Sequence, residues 1–232
     1  MKHIIRIITL VLLASSLYSQ TILETHDPNV TLSSEQCYDL LKTVWDGLKK
    51  ISEQYSMEVT AKGEFESTAE YNERVRKAKD QFINRVNAFA TDNKLKEKVY
   101  SVWLKAELVK YDADNQIYSV KSPTEILVQP KKTDIITLCE PNKYVTITEM
   151  NRGGYRRAHL RLNTEPPFSW FVNKQTAQAA KNKEHAMYFK LWFSFSVTVN
   201  EADNQIVLMI VPVKLSLMDQ GENFTYWSEE FR

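Results

Sequence analysis

The pentapeptide Ala-Asp-Asn-Gln-Ile occurs twice, at 113–117 and at 202–206. The same offset of 89 residues aligns what precedes it: Tyr100 with Phe189, Val102 with Leu191, Leu104 with Phe193, Ala106 with Phe195 and Leu108 with Val197. These apolar positions recur every second residue, which is the pattern of a half-buried strand. Trp103 aligns with Trp192 on the opposite face, and Pro123 with Pro212. The shared Asp and Asn are turn formers, and Asn115 is the natural residue for a left-handed position. A helix is expected before each strand pair, at 67–93 and 173–185. The repeat is therefore read as a helix–strand–strand unit spanning 67–128 and 173–217. Coincidence of a pentapeptide is the alternative. Ile206 to Val213 is apolar on both faces, so the second copy should lie centrally and the first nearer an edge. Pro212 within that run predicts a bulge or a strand end. The fold class expected is α+β, an antiparallel sheet with helices packed on one face.

Upstream the period is helical. Ser33 followed by Gln36 forms a capping-box pattern, and Cys37, Leu40, Leu41, Val44, Leu48, Ile51 and Tyr55 share one face. Ser67 with Glu70 repeats the pattern, followed by Tyr71, Val75, Ala78, Phe82, Val86 and Phe89. Further strands are expected at 117–120, 125–129, 134–138, 144–149 and 155–162, with Asn151 to Gly154 as the hairpin loop between the last two. The organisation expected is a signal peptide at 1–19, an N-terminal segment with one amphipathic helix at 20–62, and an α+β domain at 63–232.

Residues 1–19 combine a basic start (Lys2, Arg6), an apolar run from Ile7 to Ala14, and small residues at Ser15, Ser16 and Ser19. That is the pattern of a secretory signal peptide, and the run is too short for a spanning helix. Its removal turns 30 cations against 29 anions into 28 against 29. Near-neutrality excludes nucleic-acid binding driven by bulk charge. The expected location is periplasmic or extracellular in a bacterium, with no transmembrane segment in the mature chain. In an oxidising compartment Cys37 and Cys139 could form a disulfide; two buried free thiols are the other reading.

No metal or cofactor motif is present. His26, His159 and His185 stand without partners at ligand spacing. Asp112-x-Asp114 lacks the Gly and Glu that would continue a calcium loop, and the chain has no nucleophile elbow or phosphate-binding glycine loop. Two features are better candidates for ligand binding. The first is a cationic stripe: Arg157, His159 and Arg161 share one strand face, with Arg152 in the adjoining loop, and guanidinium groups suit phosphate or carboxylate. A solvated sheet face with its arginines paired to acids such as Glu149 would look the same. The second is the tryptophan pair Trp103 and Trp192, which would stack on a sugar or anchor a partner if exposed, or form a second small core beneath Trp170–Phe171 if covered.

The stretch Gly63-Glu64-Phe65-Glu66-Ser67-Thr68-Ala69-Glu70-Tyr71-Asn72-Glu73-Arg74-Val75, followed by the turn Tyr111-Asp112-Ala113-Asp114, resembles a phrase of uncharacterised exported bacterial proteins. The resemblance covers about 63–120. It implies an envelope or secreted protein and carries no catalytic residues. Physically, a capping box with a nearby Phe is enough to fix the start of a helix. The expected function is that of a non-catalytic, exported cell-envelope protein. It would bind a protein partner or an anionic component such as a glycan or lipid headgroup. The alternative is a periplasmic enzyme such as a hydrolase.

Overall fold

The structure is a computed structural model that describes Leu23 and residues 27–129, 135–152, 155–221 and 224–231, with backbone alone at 129, 150–152, 155 and 156. Residues 1–19, where a signal peptide is expected, and the Gly153–Gly154 connection lie outside the described residues. Both capping boxes form. Ser33 Oγ accepts from the Gln36 amide at 3.2 Å while the Gln36 side chain accepts from the Ser33 amide at 2.8 Å, opening α1 (Ser34–Glu58). Ser67 and Glu70 do the same for α2 (Thr68–Asp92). Each box satisfies two amides that the first turn would leave without partners.

The α1–α2 link is held by charge. Arg74 grips Glu66 with two bonds of 2.8 and 2.9 Å and donates to the Glu58 carbonyl at 2.8 Å, while Arg85 grips the Glu58 carboxylate. Glu66 also accepts the Gly63 amide. The expected role of Phe65 does not hold: it is 95% exposed and pins nothing. Packing comes from elsewhere, through the stacked rings of Tyr55 and Phe82 at 4.4 Å and the seating of the Phe89 ring against Gly47.

The main sheet is six-stranded. It runs β1 (Thr31–Leu32), β2 (Tyr100–Lys105), β10 (Met187–Asn200), β11 (Gln205–Asp219) and β12 (Phe224–Glu230), with β6 (Ile135–Cys139) parallel to the first part of β11. β1 and β2 are also parallel, and the remaining pairs are antiparallel. Two three-stranded sheets complete the fold. One is β3 (Glu107–Asp112), β4 (Ile117–Lys121) and β9 (Phe168–Phe171); the other is β5 (Glu125–Gln129), β8 (Tyr155–Leu162) and β7 (Val145–Arg152). A short helix α3 (Lys174–Asn182), capped by Asn173, leads through a 3-10 turn into β10. The fold is thus α+β, dominated by antiparallel strands. The core joins Leu40, Val44 and Leu48 of α1 and Phe82 and Val86 of α2 to Val102, Leu104, Phe189, Leu191, Phe193 and Phe195 of the main sheet.

Both copies of the pentapeptide lie at hairpin turns of four loop residues, but in different register. The first loop is 113–116, closed by Asp112 opposite Ile117; the second is 201–204, closed by Asn200 opposite Gln205. The last loop residue is left-handed in each, at φ 53 for Gln116 and φ 56 for Asn204. Loop position, not the Asn expected at 115, decides which residue takes that conformation. The flanking strands differ too. β10 and β11 form one long hairpin, whereas the segment expected as a single strand from Tyr100 to Leu108 breaks at Ala106. There the main sheet runs out of partner, because β10 begins at Met187 and the 3-10 turn lies before it. The Ala106 amide bonds Met187 at 3.2 Å, and the Glu184 carboxylate accepts the Leu108 amide at 2.7 Å. The chain then pairs with β4 in the smaller sheet.

β10 and β11 are central, each paired on both sides. The bulge expected near Pro212 is present: Trp192 faces Lys214 and Phe193 faces Pro212, so Val213 is the extra residue. It changes which parity faces the core. Ile206, Leu208, Ile210 and Pro212 are buried before it, Leu215 and Leu217 after it. Val207, Met209 and Val211, on the other face, are half-buried rather than covered.

Candidate functional site

Strand register builds one surface from residues distant in sequence. Side chains directly opposite one another in neighbouring strands share a face. Trp192 lies between Ser101 and Lys214, and Lys214 opposite Glu230. One step along, Trp103 is beside Lys190, and Lys190 beside Ser216. One step further, Lys105 is beside Tyr188. Three successive rows thus each hold one aromatic ring next to one lysine. This face points away from α1 and α2, whose packing buries Val102, Leu104, Phe189 and Leu191 on the other side. Trp103, Lys190 and Trp192 are all part-exposed.

Lys190 is the centre of the surface. Its Nζ lies 4.7 Å from the ring centre of Trp192 and 5.2 Å from that of Trp103. Lys214 lies 5.4 Å from the Trp192 ring centre, and Lys105 lies 4.7 Å from that of Tyr188. Tyr188 touches Trp103 edge-on at 5.9 Å. The aromatic faces attract the ammonium groups electrostatically. The neighbouring cations differ in what else they hold. Lys105 donates to the Glu184 and His185 carbonyls, and Lys214 lies 3.5 Å from Glu230. Lys190 makes no ion pair or hydrogen bond with a described residue. Burial between the two indoles holds its ammonium below the usual lysine pKa.

The two tryptophans singled out in the sequence are therefore brought together, joined by a lysine. The Trp170–Phe171 segment does not cover them: Trp170 is buried against Tyr118 and Tyr226 in a separate aromatic cluster. Lys190 and Tyr188 were missed, although they stand two and four residues before Trp192 and so share its face by simple alternation.

The arginine stripe lies elsewhere, on β8. Arg157 is exposed; His159 and Arg161 lie on either side of Glu125 of β5, at 3.8 and 3.9 Å. The acid facing them is not Glu149, which pairs with Ala158 and so lies on the opposite face. Arg152 closes β7 rather than sitting in a loop, and its side chain is outside the described residues. Cys37 and Cys139 are both free thiols, not a disulfide, and burial raises each pKa to about 12, which keeps them protonated. Among the described residues no group of three or more His, Cys, Asp or Glu is placed to hold a metal ion, and no described helix is long and apolar enough to cross a membrane. No protein family, curated protein or solved structure matches the chain.

Proposed function

We propose that this is a non-catalytic protein exported to the bacterial cell envelope, where it binds an acidic glycan on the open face of its main sheet. The observation that carries the reading is Lys190, a lysine set between two part-exposed indoles with no carboxylate partner among the described residues. Its charge is available to a ligand carboxylate or sulfate, and indole edges and faces suit the C–H surface of a sugar ring. Lys214 and Lys105 extend the positive charge along the strands. The basic, apolar and small-residue succession of 1–19 supports export.

The test is titration of the mature protein with polygalacturonate, neutral dextran and phosphatidylglycerol vesicles, read by tryptophan fluorescence. Polygalacturonate should quench saturably, with an affinity that falls as salt rises, and dextran should not. Lys190→Gln should weaken binding at least about tenfold, the loss typical when one partner of a desolvated charge contact is removed. Affinity should also fall at alkaline pH, starting below the ordinary lysine value of 10.5, because the Lys190 pKa is depressed and a neutral amine cannot hold an anion. Binding to vesicles with none to the polysaccharide would replace the glycan by a lipid surface. Release of oligosaccharides from the polymer would overturn the non-catalytic reading.

A further inference from the structure

A second surface, separate from the tryptophan–lysine face, has the character of a small-molecule site. Where β4 turns into β5, a cleft of about 220 Å³ opens against the end of β8. This is smaller than the roughly 300–1,000 Å³ usual for drug-sized ligands, so its occupant is small. Three carboxylates (Glu107, Glu125, Glu165) and two cations (Lys121, Arg161) line it. Groups of both signs this close normally neutralise one another, yet here only Glu125 does so, through charge contacts to Arg161 and His159. Glu107 and Lys121 are opposite each other in the β3–β4 ladder without forming an ion pair. Neither they nor Glu165 pairs with any described residue. Arg161 makes only the 3.9 Å charge contact to Glu125 and no hydrogen bond to a described residue. Its Nε and the Ser122 Oγ are both buried without a partner. A guanidinium that uses none of its donors at the wall of a cleft suits a carboxylate bound in two-pronged fashion.

The charges of the cleft sum to an excess of one negative. A complementary ligand carries one carboxylate for Arg161 and two ammonium groups for the glutamates. We propose that this cleft binds a small free amino acid bearing a second amino group, with lysine as the representative.

The experiment is an NMR titration of the full mature protein with L-lysine, following backbone amides at 107, 121–125 and 161–165. L-norleucine, which lacks the terminal amine, acetate and n-butylamine serve as comparisons. Lysine should shift these amides saturably, and norleucine, acetate and butylamine should bind at least about tenfold more weakly. Arg161→Gln should cost at least about tenfold in lysine affinity. Glu165→Gln, at an exposed position without a described partner, should weaken it severalfold while leaving the thermal midpoint unchanged. Should Arg161→Gln fail to fold, Glu165→Gln and norleucine still decide. The proposal is overturned if lysine gives no saturable shift at these amides, if norleucine binds as well as lysine, or if Glu165→Gln leaves the affinity unaltered.

Discussion

Glu66 fixes Arg74 of α2, which in turn bonds the Glu58 carbonyl at the end of α1. It accepts two bonds from Arg74 and one from the Gly63 amide, and these push its pKa from the ordinary 4.5 down to about 2. The folded state therefore binds this proton more weakly than the unfolded chain does. The stabilisation is fully present above about pH 4.5 and is lost as pH falls toward about 2. Glu66→Gln should flatten the pH dependence of the urea midpoint between these values, relative to the wild-type protein, when followed by circular dichroism. The Glu66–Arg74 clamp and the Ser67–Glu70 box together give a structural account of the Phe-Glu-Ser and Glu-Tyr-x-x-Arg phrase. Phe65 is left over, since nothing in the fold uses it. The capping boxes were legible because both partners lie within four residues. The role of Lys190 was not, because Trp103, which stands beside it, and Lys214, which flanks Trp192, come from β2 and β11, and register alone joins them.

Glycine inside a helix normally costs about 1 kcal/mol relative to alanine, yet Gly47 stands in the middle of α1. A Cβ there would meet the Phe89 ring of α2 at 2.5 and 2.6 Å. Gly47→Ala should therefore destabilise the protein, by about 1–3 kcal/mol for an overpacked contact. Phe89→Leu in the same chain should recover much of the loss. Denaturant titration of the single and double variants measures both, and a Gly47→Ala protein more stable than wild type would show that the ring turns aside freely. Strands were read less evenly than helices. β5 and β8 were found at their full length from alternation. The two-residue β1 and the four-residue β9 are too short for a period to register, and β12 was not read as a strand. The break at Ala106 was invisible because its cause, the start of β10 at Met187, lies some eighty residues further on.

For the molecule as a whole, the two long strands β10 and β11 organise everything else. Helices α1 and α2, strand β2 and the smaller sheets all contribute side chains to the single core that contains Phe189, Leu191, Phe193 and Phe195. Phe195 is fully buried beside the Tyr100 and Phe193 rings. Phe195→Ala should cost about 3–5 kcal/mol, a large share of the roughly 5–15 kcal/mol that holds a typical domain folded. The drop should be read as a shift of the urea midpoint. A hairpin this long carries a risk of its own: side chains alternate, so a slip of two residues would return every apolar group to the core face and leave the pairing nearly as good. Val213 removes that ambiguity. Its extra residue must fall next to Pro212, which has no amide hydrogen to give, and its carbonyl accepts the Phe231 amide at 2.8 Å. A slipped ladder would set the bulge opposite other residues of β10 and separate Lys214 from Trp192. One surplus residue thus works as a register lock, and the lysine–tryptophan surface can assemble in one alignment alone.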